Sequence, residues 1–161
     1  LTALQDITFL SDIVDRLLDL RMYHDEYRPV LLKVSPDLSH EQLDEIIDYC
    51  LRSGIDGIVA GNTTRSRDGL HSISQEKIEE IGNGGLSGAP VHKKNLELVR
   101  YVHTKSNGML PIIGVGGIMT PEQAKDMMDA GASLVEIYSG FIYEGPALIK
   151  KILKHLEQTG N

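Results

Sequence analysis

LPIIGVGGIMTPEQAKDMMDAGASLVEIYSGFIYEG, residues 110–145, decides the fold of this 161-residue chain. It reads as an apolar strand, a glycine-rich turn, a capped helix, a second apolar strand and a second turn of small residues. Leu110 to Val115 is a continuous apolar run with Pro111 at its entry, the pattern of a parallel strand covered on both faces. Gly114, Gly116 and Gly117 end it and let the backbone N–H groups approach a ligand closely. Thr120, Pro121 and Gln123 supply an N-cap, a first-turn proline and a capping-box partner, so a helix follows at once. Gly131 closes that helix. The next strand, Leu134 to Ser139, delivers Tyr138, Ser139 and Gly140 to the same end of the sheet, and a further helix starts near Gly145 and Pro146.

Working outward, the same unit recurs. Leu10, Ile13, Val14, Leu17 and Leu18 have helical spacing, with Asp12, Asp15, Arg16 and Asp19 opposite them. HDEYRP links this helix to a strand over Val30 to Val34, which carries Lys33. Ser39 with Gln42 forms a capping box, Leu43, Ile46, Ile47, Cys50 and Leu51 form an apolar stripe, and Gly54 closes the helix. Ile55 to Ala60 is a short buried strand that runs into Gly61, Asn62, Thr63 and Thr64. The long segment from Arg65 to Gly88 holds a polar stretch, a short helix in SQEKIEEI and the glycine-rich NGGLSG, and loops of that length are usually functional or mobile. A helix from about Lys94, with Leu98, Tyr101 and Val102 on its apolar side, leads back to the opening stretch.

The tally is a leading helix and then strand plus helix four times, which is an α/β fold built on parallel strands. A closed (β/α)8 barrel needs about 250 residues and eight strands. The chain, residues 1–161, therefore reads as the C-terminal half of such a TIM barrel, and its start at Leu1 rather than methionine points the same way. A half barrel leaves two sheet edges unpaired, so association with itself or with its missing half is expected.

The totals exclude several classes. A net charge of -7 argues against a nucleic-acid footprint. One cysteine, Cys50, allows no internal disulfide framework, and its place on an apolar helix face marks it as core. No apolar run approaches the length needed to cross a bilayer, and LTALQDITFL lacks the basic start and cleavage site of a signal peptide. The six histidines show no zinc-type spacing, and Met119 stands where G-x-G-x-x-G needs its last glycine. GLSGA lacks the residue a nucleophile elbow requires between serine and glycine. Asn62 to Thr64 fit a glycosylation sequon only formally, at a strand end with no secretory signal.

What remains is a set of residues at the carboxyl ends of successive strands, where barrels place their chemistry: Lys33, Asn62, Gly116 with Gly117, and Tyr138 with Ser139. Loops after the last two strands of such barrels, with a nearby helix N-terminus, commonly bind phosphate. Lys33 is either a solvent-facing lysine or a fixed charge beside an electron-accepting ring. Asn62 and Thr63 either cap their own loop or read an amide-like ligand edge. Gly84, Gly85 and Gly88 form either a flexible turn or part of a ligand cradle.

KVSPDL, GNTTRSR, GGLSGAP, PIIGVGGI and GASLVEIYSGFIYEGP, in this order, resemble the C-terminal half of class 2 dihydroorotate dehydrogenases. The likeness covers nearly the whole chain. It implies oxidation of dihydroorotate to orotate with FMN, in pyrimidine biosynthesis, and re-oxidation of the flavin by a quinone at the cytoplasmic side of the cell membrane. By position, Lys33 would lie by the flavin ring, and Gly61, Gly88 and Gly117 would offer backbone contacts to FMN. Tyr138 and Ser139, aided by Gly116, would hold its phosphate, while Asn62 and Thr63 would bind the pyrimidine. Gly61 departs from the threonine of many relatives. The catalytic base of this class is a serine upstream of the region matched, and the quinone and membrane contacts come from N-terminal helices, so Ser87 and Ser139 do not take the base's role. Other readings are another flavin- or phosphate-binding barrel, such as a pyrimidine reductase or an isomerase, and a flavin-binding half barrel without turnover.

Overall fold

The structure is a computed structural model that describes residues 6–68, 70 and 73–160. Its backbone is a four-stranded parallel sheet in the order β1-β2-β3-β4, comprising Leu31–Val34, Gly57–Ala60, Ile112–Val115 and Leu134–Glu136. Helix α1 (Ile7–Arg21) precedes the sheet, α2 (His40–Ser53) joins β1 to β2, and α3 (Gln75–Ile81) and α4 (His92–Lys105) lie between β2 and β3. Helix α5 (Pro121–Asp129) joins β3 to β4, and α6 (Ser139–Glu144) and α7 (Ala147–Thr159) follow. The expected four repeats of strand and helix are therefore present.

Local chemistry sets the helix starts. Ser39 Oγ accepts from Gln42 N–H while Gln42 Oε1 accepts from Ser39 N–H at 3.1 Å, closing the predicted capping box on α2. Thr120 and Gln123 repeat it on α5, with Pro121 in the first turn. The helix expected from Lys94 begins two residues earlier, because a 3-10 turn over Ala89–Val91, with Pro90 in it, winds directly into α4. The strand expected to reach Ser139 stops at Glu136. Val115↔Glu136 is the last pair of that ladder, and β3 itself turns away at Gly116, so residues 137–139 have no strand to pair with and the chain enters α6 instead.

Side-chain alternation along the strands divides the sheet into two unlike faces. Val34, Ile58, Ala60 and Ile112 point to the helices and are buried. They meet Leu43, Ile46, Ile47 and Cys50 of α2, Leu98, Val99 and Val102 of α4, Ala124 and Met127 of α5, and Leu148 and Ile152 of α7. Each fully buried aliphatic side chain contributes about 1.5–3 kcal/mol relative to exposure, so this one-sided core dominates stability. The opposite face carries the row Lys33↔Val59↔Ile113↔Leu134, and among the described residues no layer covers it. Leu134 is 62% exposed there and Leu31 38%.

Helix α1 sits at the margin. Leu10 and Val14 are buried, but Ile13 and Leu17 of the same predicted stripe are nearly half exposed, since α1 packs chiefly on α2. Its end is pinned by polar contacts at the amino-terminal side of the sheet. Arg21 pairs with Asp56 at 2.7 Å, Tyr27 donates to the same carboxylate, and Val30 N–H donates to it at 2.6 Å. Elsewhere His40 stacks on Tyr101, and Tyr101 and Lys105 both hold Asp44, locking α2 to α4.

Burial in this core pushes the Cys50 thiol up to about 12. The thiolate is the reactive form. Cys50 should therefore ignore a thiol reagent such as DTNB at pH 8 in the folded protein and react fully in denaturant; rapid labelling of the native chain would contradict this packing.

Candidate functional site

A cavity of about 210 Å³ opens at the carboxyl ends of the four strands. Its lining brings together Lys33, Gly61, Asn62, Thr63, Gly88, Gly116, Gly117, Tyr138 and Ser139, whereas Gly84 and Gly85 of the same glycine-rich turn as Gly88 do not line it. Val115 and Ile118 add apolar wall, Ser87 of the GGLSG turn adds a hydroxyl, and Glu136 adds a carboxylate that sequence reasoning had not placed there.

Each residue arrives by a different route. Lys33 is carried on the uncovered face of β1, level with Val59 of β2. Asn62 and Thr63 follow β2, and Asn62 Oδ1 accepts from Thr63 N–H at 2.9 Å, so the side chain also shapes its own loop. Gly116 and Gly117 have φ of 113° and 72°, a backbone region costly for any side chain. A Cβ on Gly117 would also run into the backbone of His92, where α4 begins. Tyr138 and Ser139 lead into α6, whose start has no side-chain cap bond. Ser139 Oγ donates to Ser87 Oγ at 3.4 Å, which joins α6 to the GGLSG turn.

A polar network fastens the loops behind the cavity. Asp37, in the turn after β1, accepts from Lys94 Nζ at 2.6 Å, from Thr64 Oγ1 at 2.5 Å and from Arg65 N–H at 2.7 Å. Burial raises the Asp37 carboxyl, but these donors outweigh it and hold the group below its ordinary 3.8. Thr64 in turn exchanges backbone hydrogen bonds with Leu86, at 3.1 and 2.8 Å. Arg67 donates to the carbonyls of Gly82 and Gly84. The long segment after Arg65 is thus tied down at both ends.

Under the cavity lie two polar side chains of α4. His92 and Asn95 are buried, and burial pushes the His92 imidazole below its usual value, against the opposing pull of the Gly116 carbonyl. Neither was singled out from the sequence. Asn95 falls in step with Leu98, Val99 and Val102, and a polar residue in register with an apolar helix stripe is the signal that could have found it.

A parallel sheet whose strand ends converge on glycine turns, a lysine and a tyrosine–serine pair defines about half of a (β/α)8 barrel, with its cavity on the face where such barrels place their chemistry. The chain belongs to the dihydroorotate dehydrogenase family, whose sequence profile matches residues 4–159. It is 46% identical over 160 residues to a protein named dihydroorotate dehydrogenase (quinone) from Christiangramia forsetii, covering 99% of this chain and 46% of that one. The protein of that name from Proteus mirabilis is 45% identical over 154 residues, 96% of this chain and 44% of its own length. The ligand-free dihydroorotate dehydrogenase crystal structure from Eimeria tenella superposes with a TM-score of 0.87 at 31% identity, covering 99% of this chain and 48% of that one. The chain therefore spans a little under half the length of these relatives.

Because folding depresses the Asp37 carboxyl, its stabilising contribution is complete above the unfolded value and is lost as pH falls through the lower folded one. Asp37→Asn should lower stability by about 1–2 kcal/mol at pH 7. Denaturant titrations of the two proteins should converge at acid pH; a gap that persists below the folded value would exclude the carboxylate as its source.

Proposed function

We propose that the protein oxidises dihydroorotate to orotate in pyrimidine (UMP) biosynthesis, using FMN and passing electrons to a quinone. The observation that carries this reading is the convergence, in one cavity, of every position that the family likeness assigns to flavin or pyrimidine. The donor set suits FMN. Glycine turns at Gly88, Gly116 and Gly117 bring bare backbone to the cavity wall, and the uncapped start of α6 sets N–H groups beside Ser139 for a phosphate.

Bound there, FMN would supply the hydride acceptor. Lys33 provides a fixed positive charge on the open sheet face, where it would favour negative charge on a bound flavin. Asn62 and Thr63 orient the pyrimidine through its amide-like edges, holding the reacting carbon toward the acceptor. Tyr138, Ser139 and Gly116 would hold the phosphate of FMN. We assign the proton-accepting serine, and the quinone and membrane contacts, to the other half of the barrel. Among the described residues no helix is long and apolar enough to cross a membrane, and the reading places the whole enzyme peripherally at the cytoplasmic side. The uncovered sheet face and the two edges at β1 and β4 are where that other half, or a second copy, would close the barrel.

A visible-absorption titration with FMN and then orotate, on this chain alone and with the remaining barrel strands added, tests the reading. Flavin binding followed by an orotate-induced spectral shift is expected in the completed barrel, and no binding in either preparation would sink it. Asn62→Ala should weaken orotate about tenfold by leaving ring polar atoms unpaired, while flavin still binds. Lys33→Ala should slow flavin reduction by dihydroorotate about a hundredfold in stopped flow, and unchanged reduction would remove Lys33 from its role.

A further inference from the structure

We propose that Asn95 is the positioning residue that sets the separation of the two loops facing the ligand, one carrying Asn62 and Thr63 and the other Gly116 and Gly117. Its functional half rests on the flavin reading given above. Asn95 lies in the first turn of α4, is fully buried and takes no part in the cavity lining. Its Nδ2 donates to the Asn62 carbonyl at 3.1 Å. That bond fixes the orientation of the amide, because the reversed side chain would set two oxygens against each other. Oδ1 then rests against Gly61 with no hydrogen-bond partner.

The fit is close on both sides. A Cβ on Gly61 would overlap Asn95 Oδ1, and a Cβ on Gly116 would overlap Asn95 Nδ2. The space that a side chain at position 61 would occupy is filled from α4 instead, with Leu98 closing the gap one turn along. Gly61 N–H donates to the Val115 carbonyl at 3.1 Å, so the amide wedges a junction where the two loops already touch. An apolar residue of this size would fill the gap and bury no orphaned oxygen. What an amide adds is the hold on the Asn62 carbonyl, and through it on the direction in which the Asn62 side chain leaves the backbone.

Amide hydrogen exchange on the full chain without ligand tests the wedge directly. Asn95→Leu keeps the volume and removes the donor; exchange should quicken about tenfold in both the 59–64 and 113–118 segments, with α2 and α7 unchanged. Unchanged exchange, or a change in one loop alone, would overturn the proposal. Should Asn95→Leu fail to fold, Asn95→Ala empties the space and should quicken exchange in the same two segments. A double-mutant cycle adds a second reading: Gly61→Ala together with Asn95→Ala should lower Tm by less than the two separate losses combined, and additivity would refute the shared space. In the completed barrel Asn95→Leu should bind orotate about tenfold more weakly, and unaltered affinity with loosened loops would refute the positioning role. A wild-type barrel that binds no FMN would count against the flavin reading alone, since exchange and the mutant cycle decide the wedge without it.

Discussion

The ladder that sets Lys33, Val59, Ile113 and Leu134 level with one another is the constraint on which everything else depends. Parallel pairing in unbroken order makes every strand end at the same edge, so four loops distant in sequence are delivered to one place. Helices on one side hold the ladder mainly by apolar burial. Most contributions lie within a few residues of a strand end, and the one long excursion, between β2 and β3, brings Ser87 and Gly88 back to the same place.

The two ends of the strands do different work. At the amino-terminal side, Asp56 gathers Arg21, Tyr27 and the Val30 N–H and fastens the leading helix to the sheet. At the carboxyl side, Asp37 gathers Lys94, Thr64 and Arg65 and fastens loops to one another. Both are carboxylates satisfied by several donors at once, the arrangement in which a partly buried charge stabilises rather than strains its surroundings. The cavity itself keeps Lys33 and Tyr138 exposed.

Much of this was legible in the residues because local chemistry decided it. The capping boxes at Ser39 and Thr120 name their helix starts, and β-branched runs closed by glycine name the strands. The end of β4 was not legible, since Ile137 to Ser139 look as strand-like as Leu134 to Glu136, and only the length of the neighbouring strand separates them. The link from Lys94 to Asp37 spans 57 residues and leaves no periodic trace. Among the candidates for the site, Lys33 and the glycine turns could be placed from their positions at strand ends, whereas Glu136 could not, because a charge on a short edge strand reads as solvated. Asn95 escaped notice for a different reason: one amide among valines and leucines barely perturbs a helix pattern.

The seating of Asn95 against Gly61 also gives the history of this chain a direction. A larger residue at position 61, introduced first, would meet the amide and force it to shift. The helix residue has to shrink before the loop residue can grow, and on the return path the loop must be emptied before the amide can enter. Two positions more than 30 residues apart in the chain share one space, and homologues should divide into two groups at this pair, with few intermediates between them.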